Sequence, residues 1–534
     1  MVLNIRERAQ KVLQCLCEKT GQSLRSIAAA TGISKSSVHR HVKAMERRQQ
    51  YAESHLWETV EGGNWLRLLV FGVIYCFGIK AGIGADSLSA FFHLLHLEKR
   101  IGCSASALRE LERQVKEQII AYGQAQSEAC QGEQPIGICV GADETFYELP
   151  ILVAMELASG FIFTEVECEN RTYETWWQQV SRWFQPEQWH CRFLVSDAAK
   201  ALVKLGVSGL GCPSLPDLFH LLQGLSRSLG SALARQRAQL QKRHQSLAAK
   251  RQAVSSPQTL VQVEAQIAAL QRQQQQLATD HQDYQHSIHA LSQAIHPFHL
   301  DTGEAQVGLE LPLRLQSPLS TLERLSQTYA PTQAQTALQQ WHRQLPALSQ
   351  ALHAWWQWVL QALPTQTQDP DTQDWVLTVL LPWVYWHQQT QKTRHPQLKA
   401  GYEQAAHQAQ AAFLSASFTA SLSQVQQQQW LDWAIWMCDK FQPTSAAVEG
   451  RHGYLSARHH ANRGLSEQTL KVLTIIHNFD LKRQDGTTAA QRLFGRPFPD
   501  LFEFIVLTMG ELPQPRRTFK PRKSKKPTLP AVPA

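Results

Sequence analysis

Apolar positions in residues 4–19 recur at helical spacing. Ile5, Val12, Leu13 and Leu16 share one face, which predicts an amphipathic helix. The next stretch, SLRSIAAATGISKSSVHRHVKAM, splits into two short periodic runs around Thr31-Gly32. Gly32 suits a tight turn, and Ser34 is placed to cap the second helix. Ala28, Ile33, Val38 and Val42 form the inward faces. Lys35, Ser36, Ser37, His39, Arg40 and Lys43 then point outward, the layout of a helix-turn-helix that presents its second helix to a DNA groove. Residues 60–122 read as helices forming either a second DNA-binding unit or a spacer. Their apolar run, residues 66–79, contains Arg67 and is too short to cross a bilayer, so it reads as buried core.

Near Pro135 the period drops from helical to alternating. IGICVGADETF, LPILVAMEL and GFIFTEVE predict three consecutive antiparallel strands. A helix over residues 172–184 follows, then an apolar strand, CRFLVSD, that runs out at Asp197 and leads into another helix. This is an α/β core with a mixed sheet. From residue 218 to 295 the pattern is helical again. Val263, Ile267, Leu270, Gln274 and Leu277 form a heptad seam, and Ser255-Ser256-Pro257 breaks the run into a hairpin. Residues 310–440 continue as helices. Ten tryptophans there predict a bulky core, with base stacking as the sharper alternative.

The expected organisation is therefore multi-domain α plus α/β. A helix-turn-helix (1–50) and a helical spacer or second DNA-binding domain (51–130) precede the core. The first part of the core (131–225) is interrupted by a helical insertion (226–440), and its C-terminal helices (441–512) lead to a basic tail (513–534).

Charge adds a partner to this picture. The chain has 534 residues and a net charge of +8, but the charge is segregated. Residues 1–50 carry +7 and residues 514–534 carry +7, while residues 51–513 sum to −6. Basic ends on an acidic centre point to a nucleic-acid partner held at the ends. The ten cysteines are scattered with no Cys-x-x-Cys pair, which argues against a zinc ribbon or a disulfide scaffold and fits a reducing cytoplasm. Neither GxxxxGK[ST] nor a GxGxxG motif after a strand is present, which argues against a nucleotide-driven enzyme.

Two acids stand where apolar strands end. Asp143 follows IGICVGA and Asp197 follows RFLVS. On adjacent strands their carboxylates converge, and a divalent cation would relieve their repulsion. A third acid, Glu449, lies in SAAVEGRHGYLSARHHANRGLS among Arg451, Arg458, His459, His460 and Arg463. By itself it reads rather as an ion pair on a solvated face, and the two strand acids are what change the weighing.

Taken together, these stretches resemble the bacterial insertion-sequence DDE transposases, whose catalytic core is RNase H-like. The resemblance rests on the strand acids, on SDAAKAL followed by PDLFHLLQGL, on VEGRHGYLSARHHANRGLS, and on NFDLKRQDGTTAAQRLFGRPFPDLFEFI. It covers residues 135–225 and 440–505. It implies a metal triad of Asp143, Asp197 and Glu449 holding Mg2+ (or Mn2+) for two-metal phosphoryl transfer. Glu144 competes for the first place, and His220 is a secondary candidate near the metals. Arg451, Arg458, His459, His460 and Arg463 are expected to grip phosphates, with Arg171 a weaker candidate. The gap of 252 residues between Asp197 and Glu449 implies that the helical segment is inserted into the core. The implied activity is cleavage and strand transfer at the ends of a mobile element, on double-stranded DNA as terminal repeats and target. The expected assembly is a homodimer or larger on DNA, paired through the heptad hairpin, in the bacterial cytoplasm at the nucleoid. The alternatives are a non-catalytic DNA-binding regulator or inactive derivative, and a nuclease acting on RNA or a hybrid.

Overall fold

The computed structural model describes residues 5–18, 21–48, 56–57, 59–130, 135–184, 189–330, 332–393 and 396–515. The chain divides into two compact units. The first comprises Met1–Cys130, Arg458–Leu481 and Arg496–Ala534; the second comprises Gln131–Ala457 and Lys482–Gly495. The C-terminal segment expected as a single piece is thus shared between the two. The basic tail from residue 516 lies outside the described residues.

In the first unit, helices Ile5–Glu18, Leu24–Thr31 and Lys35–Arg48 enclose a small core of Val12, Ile27, Ile33, Val38 and Met45. Local chemistry sets their bounds. The Ser23 hydroxyl accepts from the Ser26 amide, Gly32 takes a φ of +69°, and the Ser34 hydroxyl accepts from the Ser37 amide. The Val60–Val73 helix continues through Ile74–Lys80 as a π-helical segment. Together these 21 residues are long and apolar enough to cross a membrane, so the 14-residue run understated the element. Its buried face, with Leu66, Val70, Phe71, Ile74 and Ile79, packs within this unit. Helix Ala105–Ala129 is capped by Ser104 and neutralises itself. Arg113 pairs with Glu110 and Glu117, Lys116 with Glu112, and Arg109 with Asp86.

The second unit is built on one five-stranded mixed sheet: β1 (Ile136–Phe146), β2 (Pro150–Glu156), β3 (Ile162–Glu167), β4 (Trp189–Ser196) and β5 (Ser214–Pro216). Its order is β3-β2-β1-β4-β5. The first three strands are antiparallel neighbours, and β4 and β5 run parallel to β1. Parallel pairing of β1 with β4 needs a crossover, which helix Tyr173–Val180, capped by Thr172, provides. Both faces of the sheet are covered, hence the continuous apolar runs.

Between the sheet and the late glutamate stands an all-helical insertion. Helices Ser231–Ala253 and Pro257–Gln293 form the hairpin, and Val263, Leu270 and Leu277 of the seam are buried in it with Leu233 and Leu240. The seam is consumed inside the chain, against these residues and helix Leu311–Tyr329. It is therefore not the surface expected to pair two subunits. The tryptophans build core. Trp341, Trp355, Trp358, Trp375 and Trp386 are buried, and the indoles of Trp341 and Trp355 donate to the carbonyls of Leu221 and Met437.

Candidate metal centre

Asp143 lies on β1 opposite Val153 of β2. The last paired positions of β1 and β4 are Gly141 and Val195, so Asp143 and Asp197 each stand two residues further along neighbouring parallel strands. Gly141 also opens the way for the third acid. A Cβ there would meet Leu157 Cδ2 at 2.4 Å and Val448 Cγ2 at 3.1 Å, so glycine permits helix Ala446–Arg458 to close on the sheet. Glu449 sits in the first turn of that helix, one residue after buried Val448.

One oxygen of Asp143, one of Glu449 and one ring nitrogen of His452 all lie within 4.8 Å of one another. Asp143 and Glu449, 306 residues apart in the chain, are thus brought to within reach of one cation. His452 Nδ1 is 3.7 Å from Asp143 Oδ2, and His220 Nε2 is 3.2 Å from Glu449 Oε1. Asp197 is not in this tight group. Its Oδ1 accepts from the Ala199 amide at 2.8 Å, across a turn in which Ala198 has a φ of +63°. Its charge nevertheless reaches both Asp143 and Glu144.

The electrostatics follow from burial. Asp143 is 8% exposed, and its Oδ1 accepts only the amide of Glu144 at 2.9 Å. Burial, reinforced by the charges of Glu449, Glu144 and Asp197, pushes its carboxyl up to about 8. His452 is held below the ordinary histidine range, chiefly by burial. Glu144, the rival for the first position, is committed elsewhere, because successive strand residues face opposite sides. It pairs with Arg171, and burial still raises its carboxyl.

A single buried carboxylate organises the approach to the site. Asp217, 1% exposed, accepts from the Phe219 amide at 2.7 Å, capping helix Leu218–Leu225 that carries His220. Its other oxygen accepts from the Ser445 amide at 3.1 Å and from the Ser445 hydroxyl. The Ser445 carbonyl in turn accepts from the amides of Val448 and Glu449. One residue thus fixes the start of both helices that carry site side chains. Sequence reasoning met Asp217 only as the first residue of the DLFH stretch and passed over Ser445 and His452. The Glu449-x-x-His452 spacing, one helical turn, was the available signal for His452.

Several residues expected to grip phosphate have other work. Arg451 is 4% exposed. Its Nε and Nη2 bind Glu165 of β3 at 2.7 and 2.6 Å, so it anchors the helix to the sheet and is closed to DNA. Arg458 spends Nη1 and Nη2 on the carbonyls of Lys80 and Ile79 at 3.1 and 2.8 Å. His459 packs edge-on against His460. The side chain of Arg463 lies outside the described residues. On the helix-turn-helix, Lys35, Ser36, His39, Arg40 and Lys43 are exposed and Ser37 is half-buried. Arg40 is steered along the helix by the Ser36 carbonyl and the Ser37 hydroxyl.

The donor set fits a divalent cation. It joins two carboxylates to an imidazole, and His452 Nε2 is buried without a hydrogen-bond partner among the described residues. An imidazole beside carboxylates suits manganese or zinc as readily as magnesium, so the set does not select Mg2+.

Residues 7–50 match the family model for the IclR helix-turn-helix domain, and residues 376–521 match DUF6399, a family of unknown function. No curated protein and no solved structure matches the chain. The chain thus carries a helix-turn-helix domain of a DNA-binding class ahead of an α plus α/β body.

Proposed function

We propose that this chain is a metal-dependent DNA-cutting and strand-transferring enzyme of the DDE transposase type. The observation that carries the reading is the meeting of Asp143 and Glu449 at one end of β1, beside Asp197, in a chain that also has a helix-turn-helix. The sheet order, with β1 flanked by antiparallel β2 and parallel β4, supports it, because the resemblance to an RNase H-like core requires those two strands to be neighbours.

Asp143, Glu449 and His452 would hold one cation, and Asp197, two residues past the last β1–β4 pair, would be the acid available to a second. Bound divalent cations supply activation of the attacking oxygen and stabilisation of the leaving one. The chain's residues do the rest. Asp143, whose carboxyl burial raises to about 8, would have to give up its proton to act as a ligand. His220 Nε2 stands 3.2 Å from Glu449 Oε1, and Asp217 fixes both helix starts. Arg171, paired with Glu144 and half exposed, stands ready to meet a phosphate. The helix-turn-helix reads the element's ends and delivers the strand.

The test is cleavage of labelled duplex carrying the flanks of the protein's own gene, with Mg2+ or Mn2+ and with EDTA. Cuts at the element's ends that need metal and disappear in Asp197→Asn and Glu449→Gln are expected. Sequence-specific binding without cleavage under every metal condition would assign the chain to the regulator or inactive-derivative reading.

A further inference from the structure

The acidic centre of the chain hides a third basic segment. Residues 226–279 contain eight Lys and Arg and one acid, a charge of +7 that equals the excess of the helix-turn-helix region. Six of those cations, Arg235, Arg237, Lys242, Arg243, Lys250 and Arg251, fall on helix Ser231–Ala253, which carries no acid at all. All six are exposed. Arg251 pairs with Glu264 of the returning helix, and Arg235 donates to the Ser231 carbonyl. Among the described residues no carboxylate lies within ion-pair distance of Lys242, Arg243 or Lys250.

This is not how the protein builds an ordinary solvated helix. Helix Ala105–Ala129 is as polar on its surface, yet each of its arginines and lysines meets an acid, Arg113 and Lys116 one turn away and Arg109 at Asp86. On Ser231–Ala253 the intervening surface positions are Gln, Ala and Ser. Four like charges left uncompensated on one helix repel one another. Arg235, Lys242 and Lys250 recur at seven and eight residues, and Arg243 adjoins them. They form an exposed stripe about 22 Å long at ~1.5 Å per residue, with Arg235 and Lys242 opposite the buried Leu233 and Leu240 and with Arg243 and Lys250 on the flank. A polyanion is the ligand that turns this repulsion into attraction. Duplex DNA presents one charge per ~1.7 Å of its axis, and the chain already holds a domain for it.

We propose that the outer face of helix Ser231–Ala253 is a second DNA-binding surface, one that grips the phosphate backbone through Arg235, Lys242, Arg243 and Lys250 and reads no sequence. Among the described residues no carboxylate holds these four charged ends, so the face positions duplex while the helix-turn-helix supplies discrimination.

The full chain is titrated onto fluorescent random-sequence duplex from 50 to 300 mM NaCl. Each phosphate contact contributes about −0.9 to the slope of log K against log salt. Replacing all four by glutamine (R235Q, K242Q, R243Q, K250Q) is expected to flatten the slope by about 3.6, equally on unrelated sequences. An unchanged slope in a variant of wild-type helicity overturns the proposal. So does a loss confined to RNA, which would assign the surface to that polymer. As a readout independent of charge removal, Ser246→Cys, exposed on the same face, is labelled with a photo-cross-linker. Duplex is expected to be captured above the level of the unsubstituted protein, and background capture alone overturns the proposal. Neither measurement uses cleavage, so the surface stands or falls separately from the catalytic reading.

Discussion

Asp143 shows how a single side chain can oppose folding until a ligand arrives. Its folded carboxyl sits near 8, against about 4 in an unfolded chain, so the folded state keeps a proton that the unfolded state releases. Its contribution to stability is therefore fully present below pH ~4 and is lost as pH rises toward 8. In metal-free protein, Asp143→Asn should gain on wild type across that window, by about 1–3 kcal/mol at pH 8, and match it near pH 4. Thermal melts at both pH values check this. Mn2+ should stabilise wild type at pH 8 and leave the variant unmoved. Arg451 makes the opposite case. Arg451→Met strands a buried Glu165 and should cost about 3–5 kcal/mol in urea unfolding, most of it recovered when Glu165→Leu is added. If the double variant were as unstable as the single one, the ion pair would not be the anchor described.

Elements differed in how plainly the sequence announced them. The strand runs and the hairpin break stood out because alternation and Pro257 are strong local signals. The three-residue β5 did not, since Ser214–Pro216 is ordered by pairing with β4 and not by its own pattern. The acids Asp143 and Asp197 were legible because each follows an apolar strand. The fate of Arg451 was not, because its partner Glu165 lies 286 residues away and only the packed sheet brings them together. Asp217 was hidden for the same reason: an aspartate before a helix reads as a cap, and its second oxygen reports only in three dimensions. Asp217→Ala removes a cap from one helix and a buried acceptor from the start of another. It should cost about 2–4 kcal/mol and weaken Mn2+ binding about tenfold or more. Calorimetric titration that found wild-type Mn2+ affinity in a folded Asp217→Ala protein would refute its positioning role.

At the scale of the whole molecule, three segments each carry +7 and everything else sums to −13. Such segregation would draw a polyanion to three segments and repel it from the rest. Arg40→Ala with Lys43→Ala should weaken duplex binding and flatten its salt slope by about 2, with Mn2+ affinity unchanged; a matching loss of metal binding would show that the variant perturbs more than the DNA surface. The tie between Asp217 and Ser445 bears on architecture as well as on chemistry. The Leu218 amide also donates to the Pro443 carbonyl at 3.2 Å, so the chain leaves the sheet and returns to it at almost the same point. More than 200 residues of helix hang between two stitched ends. The distance between exit and return therefore sets no limit on the length of the helical body; what ties that body to the centre is its own packing on Leu218, Leu221 and Leu225 of the helix that carries His220.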